Sequence, residues 1–477
     1  MSKDEKEFLN KYIKKIQQGQ GIDKNKKNKN VEPKLINESV GKQTPNSEPN
    51  PNPVPTPNPI PNPNNVPAPG PIPNPNNVPA PGPVPTPNPI TNPNPVSAPG
   101  PVPTPNPITN PNPILEPKYT PLICKDSSLG LDNVGATCYM NATLQCLAHI
   151  KIISEHIINY KRNGKLEDNG KFKLSRVYAD VLEGIWFPKE NQKSYSPNNF
   201  KNILGKMNSL FAPTAANDAK DLLIYLIEQM HNELNKSKEK NMILIMPQNM
   251  DPTNQQVVLG CFANEFMKKY NSIFSAYCYG SNISITKCFG CGICKYSCQC
   301  FSFIIFPLLE AKRYCVSSGR LPQLMYNQYI LNIEDCFIYN QKIEFFNGEN
   351  QMYCNICRQL KDASMCTCIY TAPLVLILVL NRGRGNADFK EKFIFWETID
   401  LTNYVQFKQP DNRYYLSGVI THLGESGESG HFIAFCRMSE NSKWYLYNDS
   451  IVMESNFNEI NNRGIPYILF YQKIIMK

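Results

Sequence analysis

Cys138 stands in the segment of this chain where reaction chemistry is easiest to read. It follows Gly130-Leu131-Asp132-Asn133-Val134-Gly135-Ala136-Thr137 and precedes Tyr139-Met140-Asn141. Met140, Leu144 and Leu147 then recur at helical spacing, with Ile150 close behind. The pattern predicts a buried helix with Cys138 at its N-terminus. Free backbone N–H groups and the positive end of the helix dipole favour a thiolate there. The glycines leave room for a substrate backbone, and Asn133 offers a side-chain amide to a developing oxyanion. A nucleophile of this kind needs a base, and the chain has only five histidines. His149 and His156 lie on or beyond the Cys138 helix, too many turns away to fold back to the thiol. His231 falls in the amphipathic stretch from Asp221 to Leu234, where Leu223, Ile227, Met230 and Leu234 share a face. It reads as a helix-surface residue. His422 and His431 remain.

These two histidines flank a glycine-rich loop, 423–430. Tyr414 to Thr421 reads as a strand into the loop and Phe432 to Arg437 as a strand out of it. Trp444 to Tyr447 reads as a third strand, ending at Asn448-Asp449-Ser450. If the last two strands pair, Asn448 or Asp449 reaches a histidine at the start of the preceding strand and holds its tautomer. His431 is better placed for this than His422.

A second group of thiols has a different spacing. Cys288-x-x-Cys291 and Cys354-x-x-Cys357 are two knuckles that, brought together, make a closed tetrahedral zinc site. Cys294, Cys298, Cys300, Cys366 and Cys368 crowd the region, and Cys291 with Cys294 is an alternative pair. A site of four thiolates leaves no open position, so zinc here is expected to be structural, with no catalytic cofactor.

The rest of the chain narrows the class. It has 477 residues, 17 of them Cys, an odd number in close pairs. The opening residues lack the apolar core of a signal peptide, and the longest apolar run, Pro373 to Leu380, is too short to span a bilayer. Reduced thiols in the cytoplasm or nucleus are therefore expected, with no transmembrane segment. Of the net charge of +9, +5 falls on residues 1–44, leaving a mild excess and no nucleic-acid footprint elsewhere. Residues 1–44 read as a basic, mostly disordered N-terminus. Phe8, Leu9, Tyr12, Ile13 and Ile16 mark one short amphipathic helix in it. Residues 45–117 are a Pro-rich repeat, with VPTPNPI at 54–60, 84–90 and 102–108. Proline at every second or third position removes backbone donors and sets φ, so a polyproline II spacer is expected. A Pro-recognising partner for this arm is an open expectation. Globular composition begins near residue 120 and runs to 474.

GLDNVGATCYMNATLQCL (130–147) and YLSGVITHLGESGESGHFIAFCRMSENSKWYLYNDSIV (415–452) resemble the cysteine and histidine boxes of the ubiquitin-specific protease family. The resemblance covers 120–474. It implies an α+β, papain-like core of thumb and palm with a β-rich, zinc-ribbon fingers extension. It implies hydrolysis after the C-terminal Gly-Gly of ubiquitin through a thioester. Cys138 then takes the nucleophile position, His431 the base, Asn448 the orienting position and Asn133 the oxyanion donor, with Asp449 assisting. Loop 423–430 resembles a loop that rearranges around the ubiquitin tail, with Gly430 directly before the base. Family members often carry the two zinc knuckles. One region departs. The family pattern Gln-Gln-Asp-Ala-x-Glu-Phe is here Ala216-Asn217-Asp218-Ala219-Lys220-Asp221-Leu222. Asp218 remains to pair with a basic tail, and Asn217 or Asp218 can also cap the next helix. The missing glutamines leave ubiquitin against a ubiquitin-like modifier open.

Overall fold

The computed structural model describes residues 129–474, apart from 167–169, 171–172, 240–242, 321–328, 383–388, 408–410, 428 and 439–441. The N-terminal region 1–44 and the Pro-rich repeat 45–117 lie outside the described residues.

An eight-stranded sheet organises the molecule. Its order is Ile451–Ser455, Trp444–Asn448, His431–Arg437, Arg413–Leu423, Ile465–Lys473, Val375–Asn381 and Ile304–Pro307, with Thr398–Asp400 also paired to Arg413–Leu423. Neighbours are antiparallel except for Val375–Asn381 and Ile304–Pro307, which run parallel. Val375–Asn381 is VLILVLN, buried at six of its seven positions. A strand covered on both faces reads as a continuous apolar run, which accounts for the apolar stretch at Pro373 to Leu380. Alternation divides it: Val375, Ile377 and Val379 enter one core, and Leu376, Leu378 and Leu380 the other.

The first core is helical on its far side. The helices are Cys138–Ala148, Lys151–Arg162, Lys173–Trp186, Asn198–Met207 and Ala219–Leu234. Cys138–Ala148 packs on the strand His431–Arg437, and all eleven of its residues are buried. The predicted helix therefore exists with Cys138 as its first residue, but it has no polar face turned to solvent. The second core lies under Leu308–Ser317 and Ile333–Asn340 on the opposite face.

A separate four-stranded sheet has the order Cys294–Phe301, Gly280–Cys288, Ala363–Thr371 and Ile343–Phe346. A small hairpin, Met352–Cys354 with Gln359–Lys361, stands beside it and carries the second cysteine knuckle. The architecture is α+β, as expected.

The helix Ala219–Leu234 forms where the amphipathic stretch predicts one. His231 corrects the sequence reading. It is 1% exposed, not a surface residue. Its Nδ1 lies 2.6 Å from Ser272 Oγ, and its ring stacks on Tyr270. Burial lowers its pKa to about 4. The helix buries a wider arc than the four-residue apolar stripe shows, because a second helix, Ile273–Cys278, packs against it.

Candidate active site

Strand pairing assembles the site. Ala434 is opposite Tyr447 in the ladder between His431–Arg437 and Trp444–Asn448. With a period of two, His431 and Asn448 then fall on the same face at the same end of the pair. His431 Nε2 lies 2.7 Å from Asn448 Oδ1. An amide oxygen only accepts, so Nε2 carries the proton, and the lone pair of the neutral ring sits on Nδ1. Cys138 faces this imidazole. A hydrogen bond to the Cys138 sulfur is the largest cause of the raised pKa of His431, which reaches about 9; Asn448 and the charge of Asp449 add to it. Burial acts in the opposite sense and is outweighed. Cys138 itself is 5% exposed. Of the two histidines that elimination left, His431, the better placed, meets the thiol.

Asp449 ties the same corner together. It sits at φ 52°, in the turn between Trp444–Asn448 and Ile451–Ser455. Its carboxylate accepts from Asn133 Nδ2 at 2.9 Å and from Asn141 Nδ2 at 2.8 Å. It also lies 4.0 Å from His431 Nε2. Asn133 is thus held beside the helix start, with its amide donating to a carboxylate. Its Oδ1 accepts from the backbone N–H groups of Gly135 and Thr137. That closes a tight loop in which Gly135 has φ 112° and Ala136 φ 47°.

Sequence reading missed Asn141. It lies one helical turn from Cys138, and its amide also donates to Leu131 O and Asp132 O at 3.3 and 3.2 Å. The available signal was a polar residue three positions after the cysteine, on a helix otherwise suited to burial.

His422 occupies the floor of loop 423–430. It is 3% exposed, and its ring meets Phe389 and Phe432 edge to face. A Cβ on Gly430 would stand 2.3 Å from the His422 ring, and one on Gly424 2.7 Å. The loop can pass over this imidazole only because both positions lack a side chain. Gly430 also has φ 154°.

Asp218 takes the capping role suggested for it. Its Oδ1 caps the helix Ala219–Leu234 by accepting from Lys220 N at 2.8 Å. Its Oδ2 accepts from the Tyr467 hydroxyl at 2.7 Å and lies 3.6 Å from Lys220 Nζ. Asn217 turns its amide toward Ala215 O and the Tyr139 hydroxyl, at 3.2 and 3.5 Å.

Cys288, Cys291, Cys354 and Cys357 converge, with all four sulfurs within 4.8 Å of one another. Cys288 to Cys357 measures 3.9 Å and Cys291 to Cys354 3.8 Å. A tetrahedron of thiolates about 2.3 Å from a central zinc has edges of about 3.8 Å, so the donor set fits. The N–H of Cys357 points at Cys354 Sγ at 3.5 Å and is the main cause of that thiol's lowered pKa, about 6. Cys294, the alternative partner of Cys291, lies outside this cluster.

A family model described as ubiquitin carboxyl-terminal hydrolase matches residues 129–471. The chain belongs to this family. Among curated members, ubiquitin carboxyl-terminal hydrolase 21 of Homo sapiens is 24% identical over 375 residues, covering 74% of this chain and 62% of that protein. Ubiquitin carboxyl-terminal hydrolase 2 of Homo sapiens is 26% identical over 361 residues, covering 72% of this chain and 54% of its own length. The chain thus spans less than two thirds of these hydrolases. Among solved structures, the SAGA Ubp8/Sgf11/Sus1/Sgf73 DUB module bound to ubiquitin aldehyde is similar with a TM-score of 0.53 and 21% identity, covering 73% of this chain and 70% of that one. That likeness is one of fold. With the family model it bears out the expected catalytic-domain architecture of a ubiquitin carboxyl-terminal hydrolase, and the four-cysteine cluster is compatible with a zinc ribbon.

Proposed function

We propose that this protein is a deubiquitinating cysteine peptidase. It hydrolyses the isopeptide or peptide bond after the C-terminal glycine of ubiquitin. The observation that carries this reading is the placement of Cys138 against His431, whose far nitrogen is tied to Asn448. The Cys138 thiolate attacks the terminal glycine carbonyl. Asn133, steadied by Asp449, stabilises the oxyanion. His431 then gives its proton to the leaving amine, the thioester remains on Cys138, and water drawn up by His431 resolves it. Asp218 meets the basic tail of the modifier. Gly430 keeps loop 423–430 thin enough for the tail to pass. Cys288, Cys291, Cys354 and Cys357 would hold one zinc ion, which supplies folding energy to the fingers and no chemistry to the reaction.

Family membership, the reactive constellation and the CxxC spacing support this assignment. They also favour a reducing compartment, cytoplasm or nucleus. A boundary near residue 120, with a Pro-rich arm free to bind a separate partner, completes the proposed organisation.

The test is labelling by ubiquitin bearing a C-terminal thiol-reactive electrophile. Wild type forms a covalent adduct, Cys138→Ala forms none, and His431→Ala reacts slowly. An adduct of equal yield on Cys138→Ala would sink the assignment. A second reading, a ubiquitin-like modifier as substrate, draws on Ala216 and Asn217 in place of the family glutamines. The same electrophile on such a modifier separates the two.

A further inference from the structure

Two thiols of the fingers sheet belong neither to the zinc cluster nor to the active site. Cys366 and Cys368 lie on the strand Ala363–Thr371, with their sulfurs 3.5 Å apart. Both are partly exposed. Residues two apart on a strand share a face, and register fixes which face. Ala363 is opposite Cys288, a member of the cluster, whereas Cys366 and Cys368 are opposite Ile285 and Ile283. The pair therefore projects from the side of the sheet away from Cys288. It cannot serve as a fifth or sixth ligand to that cluster. The same side also carries Cys294, Cys298 and Cys300 from the edge strand, with Cys298 level with Cys368 across Ile283.

Geometry separates the two things a close dithiol can do. Alternate residues on a strand have Cα atoms about 6.6 Å apart, at the upper end of the range a disulfide tolerates, and closing the bond would need the sulfurs within about 2.05 Å. The strand opposes that contraction because its ladder is paired on both sides over Ala363 to Cys366. Chelation needs none of it. Sulfurs 3.5 Å apart can both reach one ion lying between them at an ordinary metal–thiolate distance of about 2.3 Å, with a bent sulfur–metal–sulfur angle. Among the described residues two sulfurs converge here, and the Gln341 carbonyl accepts from Cys366 Sγ at 3.3 Å. Two thiolates fall short of the four that zinc prefers. They suit a softer ion content with few sulfur ligands, of which Cu(I) is the first-row example.

We propose that Cys366 and Cys368 form a second metal site, a dithiolate chelate for a soft thiophilic cation such as Cu(I), on the face of the fingers sheet opposite Cys288. Binding displaces the two thiol protons to solvent and changes no oxidation state. The site is independent of the peptidase assignment.

The full chain, zinc-loaded and kept anaerobic, is titrated with Cu(I) against a colorimetric Cu(I) chelator, and zinc is counted in parallel. Wild type is expected to retain one Cu(I) per chain more than Cys366→Ser, Cys368→Ser or Cys368→Ala, at equal zinc content in all four. Cys294→Ser, on the same face but outside the pair, is expected to match wild type. Equal copper in wild type and the pair variants overturns the proposal. So does copper uptake in wild type that occurs only as zinc leaves. Equal zinc content and unchanged circular dichroism establish that the variants are folded.

Discussion

The charge state of His431 is set by its neighbours. Its pKa is raised chiefly by Cys138, so the imidazolium persists to about pH 9. In Cys138→Ala the histidine titration, followed by NMR, is expected to fall toward the ordinary value of about 6.5; a titration unchanged from wild type would show that the thiol is not its partner. The sign for stability follows. A raised folded-state pKa stabilises the fold fully below the unfolded value, and that contribution is lost as pH rises through about 9. Unfolding free energy should therefore decline between about pH 6.5 and 9 in wild type and decline less in Cys138→Ala. Asn141 acts at the same scale. Its amide donates to the Asp449 carboxylate from a position 2% exposed. Asn141→Ala is expected to cost about 1.5–3 kcal/mol in denaturant unfolding and to lower kcat, because Asp449 loses one of the two amides that orient it. Full stability and full activity in that variant would remove Asn141 from the site.

Loop 423–430 and the cysteine hairpin are elements whose shape depends on single positions. Gly430 precedes the base and passes within 2.3 Å, measured from an added Cβ, of the His422 ring. Gly430→Ala must push the loop or His422 aside, and a displacement of about 1 Å at His431 is worth roughly 10²-fold in kcat. Steady-state hydrolysis of a ubiquitin C-terminal fluorogenic ester or amide reads this directly; activity within twofold of wild type would show that the loop has slack. The hairpin Met352–Cys354 with Gln359–Lys361 has three residues per strand and leaves Tyr353, Ile356 and Leu360 exposed. So short a hairpin has little stability of its own. Treatment with a zinc chelator, or Cys354→Ser, should open this region to proteolysis first, while Cys138 remains reactive toward a small alkylating agent. Simultaneous loss of both would mean that the fingers and the helix–sheet core unfold together.

At the scale of the whole molecule, two apolar cores sandwich one sheet between residues 129 and 474. Both are built from residues of this region, and removal of residues 1–117 is expected to leave kcat/KM and the melting temperature of the catalytic region unchanged. A large loss of either would assign the arm a structural role. Leu144, fully buried on the helix that carries Cys138, is the counterpart inside the core. Leu144→Ala should cost about 2–5 kcal/mol, with activity falling as the folded fraction falls.

Local physics made much of this legible along the chain. Glycines before a cysteine, an apolar helical period after it, and alternating strands around a glycine-rich loop are short-range patterns. So is the CxxC spacing that met its partner pair in space. The contacts that decide the chemistry are long-range. Asp449 reaches Asn133 and Asn141 across 316 and 308 residues of sequence. No periodicity signals such a contact, because it depends on which sheet edge the helix start is packed against. Burial of His231 is of the same kind, since a stripe of four apolar residues cannot report that a second helix covers its flank. The sequence by itself determined the candidate pair Cys138 and His431, the strands that carry the histidine and the two cysteine knuckles. Tertiary packing alone decided what Asp449 holds, that His231 is covered, and that Cys366 and Cys368 turn away from the cluster, because each depends on strand register or on the faces that packing brings together.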